Sequence, residues 1–313
     1  MKPHWHQKGL FMLFLKKRPY VGFILPGFII YTTLMIVPLI TAVYYSFFEW
    51  SGIGAKTFIG LKNYINLFFD PRLSAIFWNA LGNNFKFVGA VLFIILPLQL
   101  LLAYLLDIKI KGYRFFQLII FLPYVVSTAI IGFFTLLVFD PNIGILNNLF
   151  RGLNLMQLES AWFGDPSRAF SLLIIVITWQ GIAGGMLIFL ANLKGIPNDI
   201  IEASIIDGAG RITRFRCIML PFLVPSLTNN IILGTIWGLT QFDIPFIIGG
   251  PNGGVNNSID FMNLFFYRFA FGGAYYGETS MGFGATISVV LFFIILVIAI
   301  FQNKFLLKLE FYR

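Results

Sequence analysis

The sequence predicts an all-α, polytopic membrane protein with six transmembrane helices and both termini in the cytoplasm. Three observations carry that prediction. Of 313 residues, 58% are hydrophobic and only 11% are charged, with a mean hydropathy of +0.85, whereas charged residues make up roughly a quarter of an ordinary soluble domain. Six stretches stay apolar for the ~20 residues that a helix needs to cross a hydrocarbon core of roughly 30 Å. Fifteen of the 22 Lys/Arg fall in 1–19, 107–114, 192–221 and the tail after 302, and this bias places those segments inside.

The chain opens with a cytoplasmic segment, 1–19, in which GLFMLFL at 9–15 is followed by Lys16, Lys17 and Arg18. Seven apolar residues without a small-residue cleavage site make an amphipathic lead-in, not a signal peptide. The first span, 20–48, is long enough to tilt or kink at Pro26 and Pro38. In the external segment 49–84, FIGLKNYINLFFDPR has the apolar content of a short helix on the membrane surface. Spans at 85–106 and 115–139 flank a short basic link. GILNNLFRGLNL in 140–169 predicts a second surface helix. Spans at 170–191 and 222–246 flank the long cytoplasmic link 192–221. The third external segment, 247–281, opens with GGPNGGVNN, too rich in glycine and asparagine for a helix, and is expected to be an adaptable loop. A last span at 282–302 leads to a cytoplasmic tail, 303–313. Trp50, Trp78 and Trp162 fall near external span ends, where indole rings favour the interface.

Several function classes are disfavoured. Cys217 is the only cysteine, and His4 and His6 stand alone near the amino terminus, so Cys/His metal clusters and haem ligation have no residues. The net charge of +9 sits in short clusters between apolar runs, without the basic face of a nucleic-acid binder. SGIGAKT at 51–57 lacks the glycine before Lys56 and the preceding strand of a phosphate-binding loop. The spans hold no His and almost no acid, Asp243 near an external helix end being the main exception, which argues against an intramembrane enzyme. An ion-coupled secondary transporter usually carries intramembrane charges or internal repeats, and neither is visible.

The stretch IEASIIDGAGRITRFRCIMLP at 201–221 is the densest in specific features. Asn198, Asp199 and Glu202 after Pro197 suit a helix start, Gly208 and Gly210 allow a sharp turn, and Arg211 to Met219 can form a second short helix before Pro221. A solvated link is the ordinary reading of such a loop.

EASIIDGAGRITRFRCIMLPFLVP resembles the cytoplasmic signature of binding-protein-dependent ABC importer permeases. Glu202, Ala203, Asp207, Gly208, Ala209, Phe215, Ile218, Leu220 and Pro221 stand at matching positions, and Ser204 replaces an alanine. The string YVGFILPGFIIYTTLMIVPLITAVYYSFFEW, with FIGLKNYINLFFDPR and FDIPFIIGGPNGG, is similar to permeases of the maltose and glycerol-phosphate type. The resemblance implies the type I ABC importer permease fold in a bacterial inner membrane. It also implies a second related permease, two ATP-binding subunits that hold ATP and Mg, and an external solute-binding protein; this chain itself binds no cofactor. The signature would form a coupling helix that docks on an ATPase. Glu202 would face a cationic group there, Gly208 would make the turn, and Ala203 with Ala209 would permit close approach. Arg211, Arg214 and Arg216 fit either positive-inside anchoring or ATPase contact.

A sugar pocket combines aromatic faces with fixed hydrogen-bonding groups. Candidates that match sugar-lining places of the maltose-type permeases are Tyr124 and Thr128, one turn apart after Pro123 in the third span. Trp179, Gln180 and Gly181 in the fourth and Gly234, Trp237 and Gln241 in the fifth complete the set. Packing between helices is the competing role, above all for the glycines of GIAGG at 181–185. The overall likeness points to an oligo- or polysaccharide importer, with the alginate system as a particular candidate. The charge of the external segments does not decide between a neutral and an acidic sugar.

Overall fold

The computed structural model describes residues 19–272 and 279–311; the apolar lead-in at 9–15 lies outside them. Among the described residues, five helices are long and apolar enough to cross a membrane, and a pair of shorter helices makes a sixth crossing when counted as one bent span. In chain order the helices are α1 (Tyr20–Tyr45), α2 (Lys62–Phe69), α3 (Pro71–Asp107), α4 (Tyr113–Val125) and α5 (Thr128–Val138). Next come α6 (Ile145–Gly152), α7 (Pro166–Lys194), α8 (Asn198–Ile206) and α9 (Arg211–Arg214). The rest are α10 (Val224–Leu239), α11 (Asp243–Gly249), α12 (Met262–Phe271) and α13 (Met281–Phe311). A two-stranded hairpin, β1 (Phe48–Glu49) with β2 (Thr57–Phe58), follows α1. Short helices form in both expected stretches, as α2 and α6.

Three prolines inside long helical runs share one solution. Pro38, Pro97 and Pro221 each follow a π-helical turn, at Thr32–Ile36, Val91–Ile95 and Phe215–Met219. A proline ring collides with the carbonyl four residues back and removes one ladder bond. Here the residue before each proline donates five residues back, Val37 to Thr32, Leu96 to Val91 and Leu220 to Phe215. The widened turn moves the obstructing carbonyl aside and keeps the helix running.

The third span departs from expectation. Instead of one helix over 115–139, α4 and α5 meet at 99°. Pro123 removes an amide donor near the end of α4, and Val126 and Ser127 then adopt extended backbone before α5 begins. The second span also starts earlier than the apolar run at 85–106. Asp70 caps α3 by accepting the N–H groups of Arg72 and Leu73, both at 3.0 Å, and the helix continues through Asn79, Asn83 and Asn84.

Those asparagines explain why the segment after α11 is not an adaptable loop. Asn84, fully buried, donates to the carbonyls of Gly238 and Leu239 and accepts the Met262 N–H, at 2.9–3.0 Å. It thereby closes the end of α10 and the start of α12. Asn83 donates to Asp260 O at 3.0 Å and Asn79 to Asn257 O at 2.9 Å. Arg268 on α12, with its side chain wholly buried, meets the equally buried Asp260 at 2.8 Å and donates to Pro251 O at 2.9 Å. Burial pushes the Asp260 carboxyl up to about 6, with Arg268 opposing the shift.

The packed interior has three parts. Leu96, Ala103 and Leu106 of α3 pack on Ala183, Met186, Phe189 and Leu190 of α7 toward the 192–221 link. Phe87, Val91, Leu173, Ile177, Ile244 and Phe261 fill the middle, and Phe77, Leu81, Phe265, Phe283 and Ile287 fill the opposite end. The apolar window of α1 is unburied within the chain, and only its second half packs on α13.

Candidate functional site

The 192–221 link folds as two helices joined by a four-residue turn, Asp207 to Gly210. α8 ends in a Schellman motif: Gly208, at φ +77°, donates to Ile205 O at 3.0 Å, and Ala209 donates to Ser204 O at 2.9 Å. A left-handed residue at this position is ordinarily glycine. Gly210 has extended backbone instead (φ −64°, ψ 166°) and starts α9, its carbonyl accepting the Arg214 N–H at 2.9 Å.

The matched signature residues divide into two faces. Glu202, Ala203, Asp207, Gly208 and Arg211 are exposed, beside Ile205, Ile206 and Ile212, the last two 86% and 71% exposed. Ser204 is buried, its hydroxyl donating to Ile201 O at 2.6 Å. Phe215 packs its ring on Tyr104 of α3, with centroids 4.6 Å apart. Ile201 of α8 and Phe215 pack on the cluster at this end of the bundle and hold the pair of helices against it, and the acidic and apolar face is left outward. Among the arginines, Arg214 turns back to Ala209 O at 3.5 Å, while Arg211 and Arg216 remain exposed.

The second feature is a cavity of about 400 Å³ between α3, α4, α7, α10 and α11. Tyr124, Thr128, Gln180, Gly181, Gly234, Trp237 and Gln241 all line it. Tyr124 and Thr128 reach it from opposite sides of the break between α4 and α5, and not from adjacent turns of one helix. Trp179 does not line it; its ring lies on another face of α7 and is 45% exposed. Gln180, Gly181, Gly184, Gly185 and Ile188 share the cavity side of α7, and at about 100° per residue Trp179 falls on the opposite side of the helix.

The GIAGG glycines are seats for side chains from three other helices. A Cβ on Gly181 would come within 2.8 Å of the Trp237 ring, and one on Gly184 within 3.1 Å of the Tyr124 ring. A Cβ on Gly185 would overlap the Gln99 amide. The packing role and the cavity-lining role therefore coincide, because each notch sets how far a ring or amide enters. Phe87 supports Trp237 edge-on, with centroids 5.5 Å apart, and Gln241 donates to Trp237 O at 3.0 Å where α10 ends.

Gln99 and Asn230 also line the cavity and were not among the residues singled out from sequence. One signal was available: Gly234, Trp237 and Gln241 define a face, and one turn back along it is Asn230. Gln99 carried no such pattern. Its role follows from the notch at Gly185 on another helix.

Comparison with known proteins places these features in a family. Residues 95–306 match the family described as binding-protein-dependent transport system inner membrane component. The chain is 32% identical to the probable ABC transporter permease protein YurN of Bacillus subtilis, over 92% of this chain and 95% of that one. It is 31% identical to the multiple sugar-binding transport system permease protein MsmF of Streptococcus mutans, again over 92% and 95%. Its fold is similar to a chain in the crystal structure of a bacterial ABC transporter involved in the import of the acidic polysaccharide alginate. The TM-score is 0.80 at 20% identity, covering 96% of this chain and 98% of that one. The signature helices, the membrane-length helices and these relatives converge: the chain belongs to the binding-protein-dependent transport system inner membrane components and is a multi-pass ABC transporter permease.

Proposed function

We propose that this permease forms half of a translocation pore and receives the stroke of an ATPase through the outward face of α8 and α9. The observation that carries the reading is that face: Glu202, Asp207 and Arg211 beside uncovered Ile205, Ile206 and Ile212, while Ile201 and Phe215 anchor the same helices inward. A stiff helical pair fixed to α3 passes a rigid-body movement to the cavity walls with little loss. In this reading both termini and the signature are cytoplasmic. Two partner subunits bind ATP and Mg and hydrolyse the nucleotide, a second related permease completes the pore, and lipid covers the remaining apolar surface. An external solute-binding protein delivers sugar at the end formed by α2, α6 and the 250–272 segment. Tyr124, Trp237, Gln180 and Gln241 supply ring faces and amides for the cargo, an oligo- or polysaccharide. Alginate enters as a candidate through the fold likeness alone.

Copurification tests the assembly: a tagged chain should bring down an ATPase and a second permease. Glu202→Ala should leave the protein inserted in the membrane and weaken ATPase docking or uncouple hydrolysis from uptake. Normal uptake with normally stimulated hydrolysis in that variant would defeat the coupling role.

A further inference from the structure

The cavity contains one buried polar group that the fold leaves unanswered. Asn230 on α10 is only 6% exposed, lines the cavity, and its Nδ2 has no hydrogen-bond partner. A buried amide without a partner is costly and rare, and here the neighbouring space is the cavity itself. Gln99, 8% exposed and seated in the Gly185 notch, lines the same space from α3. α10 begins next to the signature helices and α3 ends there, so Asn230 and Gln99 lie nearer the docking loop than Trp237 and Gln241 do. An amide whose two ends exchange by a half-turn can offer a hydroxyl either a donor or an acceptor.

The charge of the lining adds a second constraint. Four of its polar side chains are amides, Gln99, Gln180, Asn230 and Gln241, and its one charged group is Asp243. Among the described residues no Lys, Arg or His lines it. Lys86 of α3 is engaged elsewhere, 3.3 Å from Asn83 Oδ1 and over the Phe170 ring. A chain of carboxylates entering this space would meet a like charge and no cation, at a cost that a low-dielectric wall magnifies. A neutral polyhydroxylated ring meets the amides and hydroxyls of the lining without that repulsion.

Resting on the importer reading, we propose that Asn230, with Gln99, forms a second sugar station on the docking-loop side of the Trp237 site, and that the cargo is a neutral oligosaccharide. The station binds hydroxyls after the sugar leaves the aromatic pair and before it exits.

The test uses the whole complex in proteoliposomes, loaded with maltotriose, arabinotriose or an alginate trisaccharide as cargo. Neutral uptake is expected, and uptake of the alginate trisaccharide alone overturns the proposal. Asn230→Leu, of similar volume, should lower neutral uptake about tenfold while the sugar-free complex melts no lower than the wild type. Asn230→Ser, which retains a hydrogen-bonding group, should keep more uptake than Asn230→Leu. Unchanged uptake in Asn230→Leu, or uptake and melting temperature falling together in both variants, shows a packing residue and overturns the station. Trp237→Ala in the same assay separates the two levels. If it abolishes uptake while Asn230→Leu does not, only the station fails; if neither matters, the cavity reading fails.

Discussion

Replacing Arg268 by Met tests whether the segment after α11 is pinned by a buried ion pair. The guanidinium is wholly enclosed, 2.8 Å from Asp260 and 2.9 Å from Pro251 O. Met fills a similar volume but supplies no donor, so a carboxylate and a carbonyl stay buried with their cation gone. Breaking one partner of a buried pair costs about 3–5 kcal/mol. At roughly 2 °C per kcal/mol for a chain of this size, the melting temperature should fall by about 6–10 °C. Intrinsic tryptophan fluorescence during heating in detergent reads this directly. The double variant Asp260→Asn/Arg268→Met removes the orphaned charge and should recover part of the loss. A single variant that melts with the wild type, or a double variant that melts below the single one, would refute the reasoning.

Three further outcomes follow from other residues. Trp237→Ala and Gln241→Ala should lower uptake without disturbing copurification of the complex, and unchanged uptake together with unchanged sugar-stimulated hydrolysis would remove them from the path. Gly208→Val, forced into φ +77°, should destabilise the docking loop by about 1–2 kcal/mol and weaken ATPase copurification. Gly208→Asn should be tolerated, since no atom lies within 4 Å of a Cβ there. The pH dependence has a definite sign: Asp260 titrates near 6 in the folded chain against 3.8 when unperturbed, so the folded state binds the extra proton. Its stabilising contribution is fully present below about 3.8 and is lost as pH rises through about 6, about 3 kcal/mol in all. Melting of the wild type should therefore decline relative to Asp260→Asn across that window and run parallel above it.

Hydropathy made the crossings legible because a membrane span is specified by length and apolarity alone. The failures have local causes. The first turns of α3 were invisible because Asn79, Asn83 and Asn84 interrupt the apolar run, although their amides are satisfied by backbone far along the chain. The third span breaks at Val126 and Ser127, where hydropathy continues unchanged and only Pro123 gives warning. α12 was hidden behind the glycine-rich run at 250–254, and its sequence MNLFFYRFAF lacks a capping residue. In the cavity, the α10 face was readable from its spacing, whereas Trp179 drew attention as an aromatic and faces elsewhere. The Gly185 notch for Gln99 depends on how two helices meet, which no single segment encodes.

The asparagines of α3 also set a timetable for the ribosome. Asn79, Asn83 and Asn84 find their carbonyl and amide partners 154–178 residues later in the chain. At about 5–20 residues per second, those partners are made roughly 8–36 s after the asparagines themselves. For that interval the amides lack the partners that bind them in the folded chain, so the first turns of α3 take up their final packing only once α12 has been synthesised.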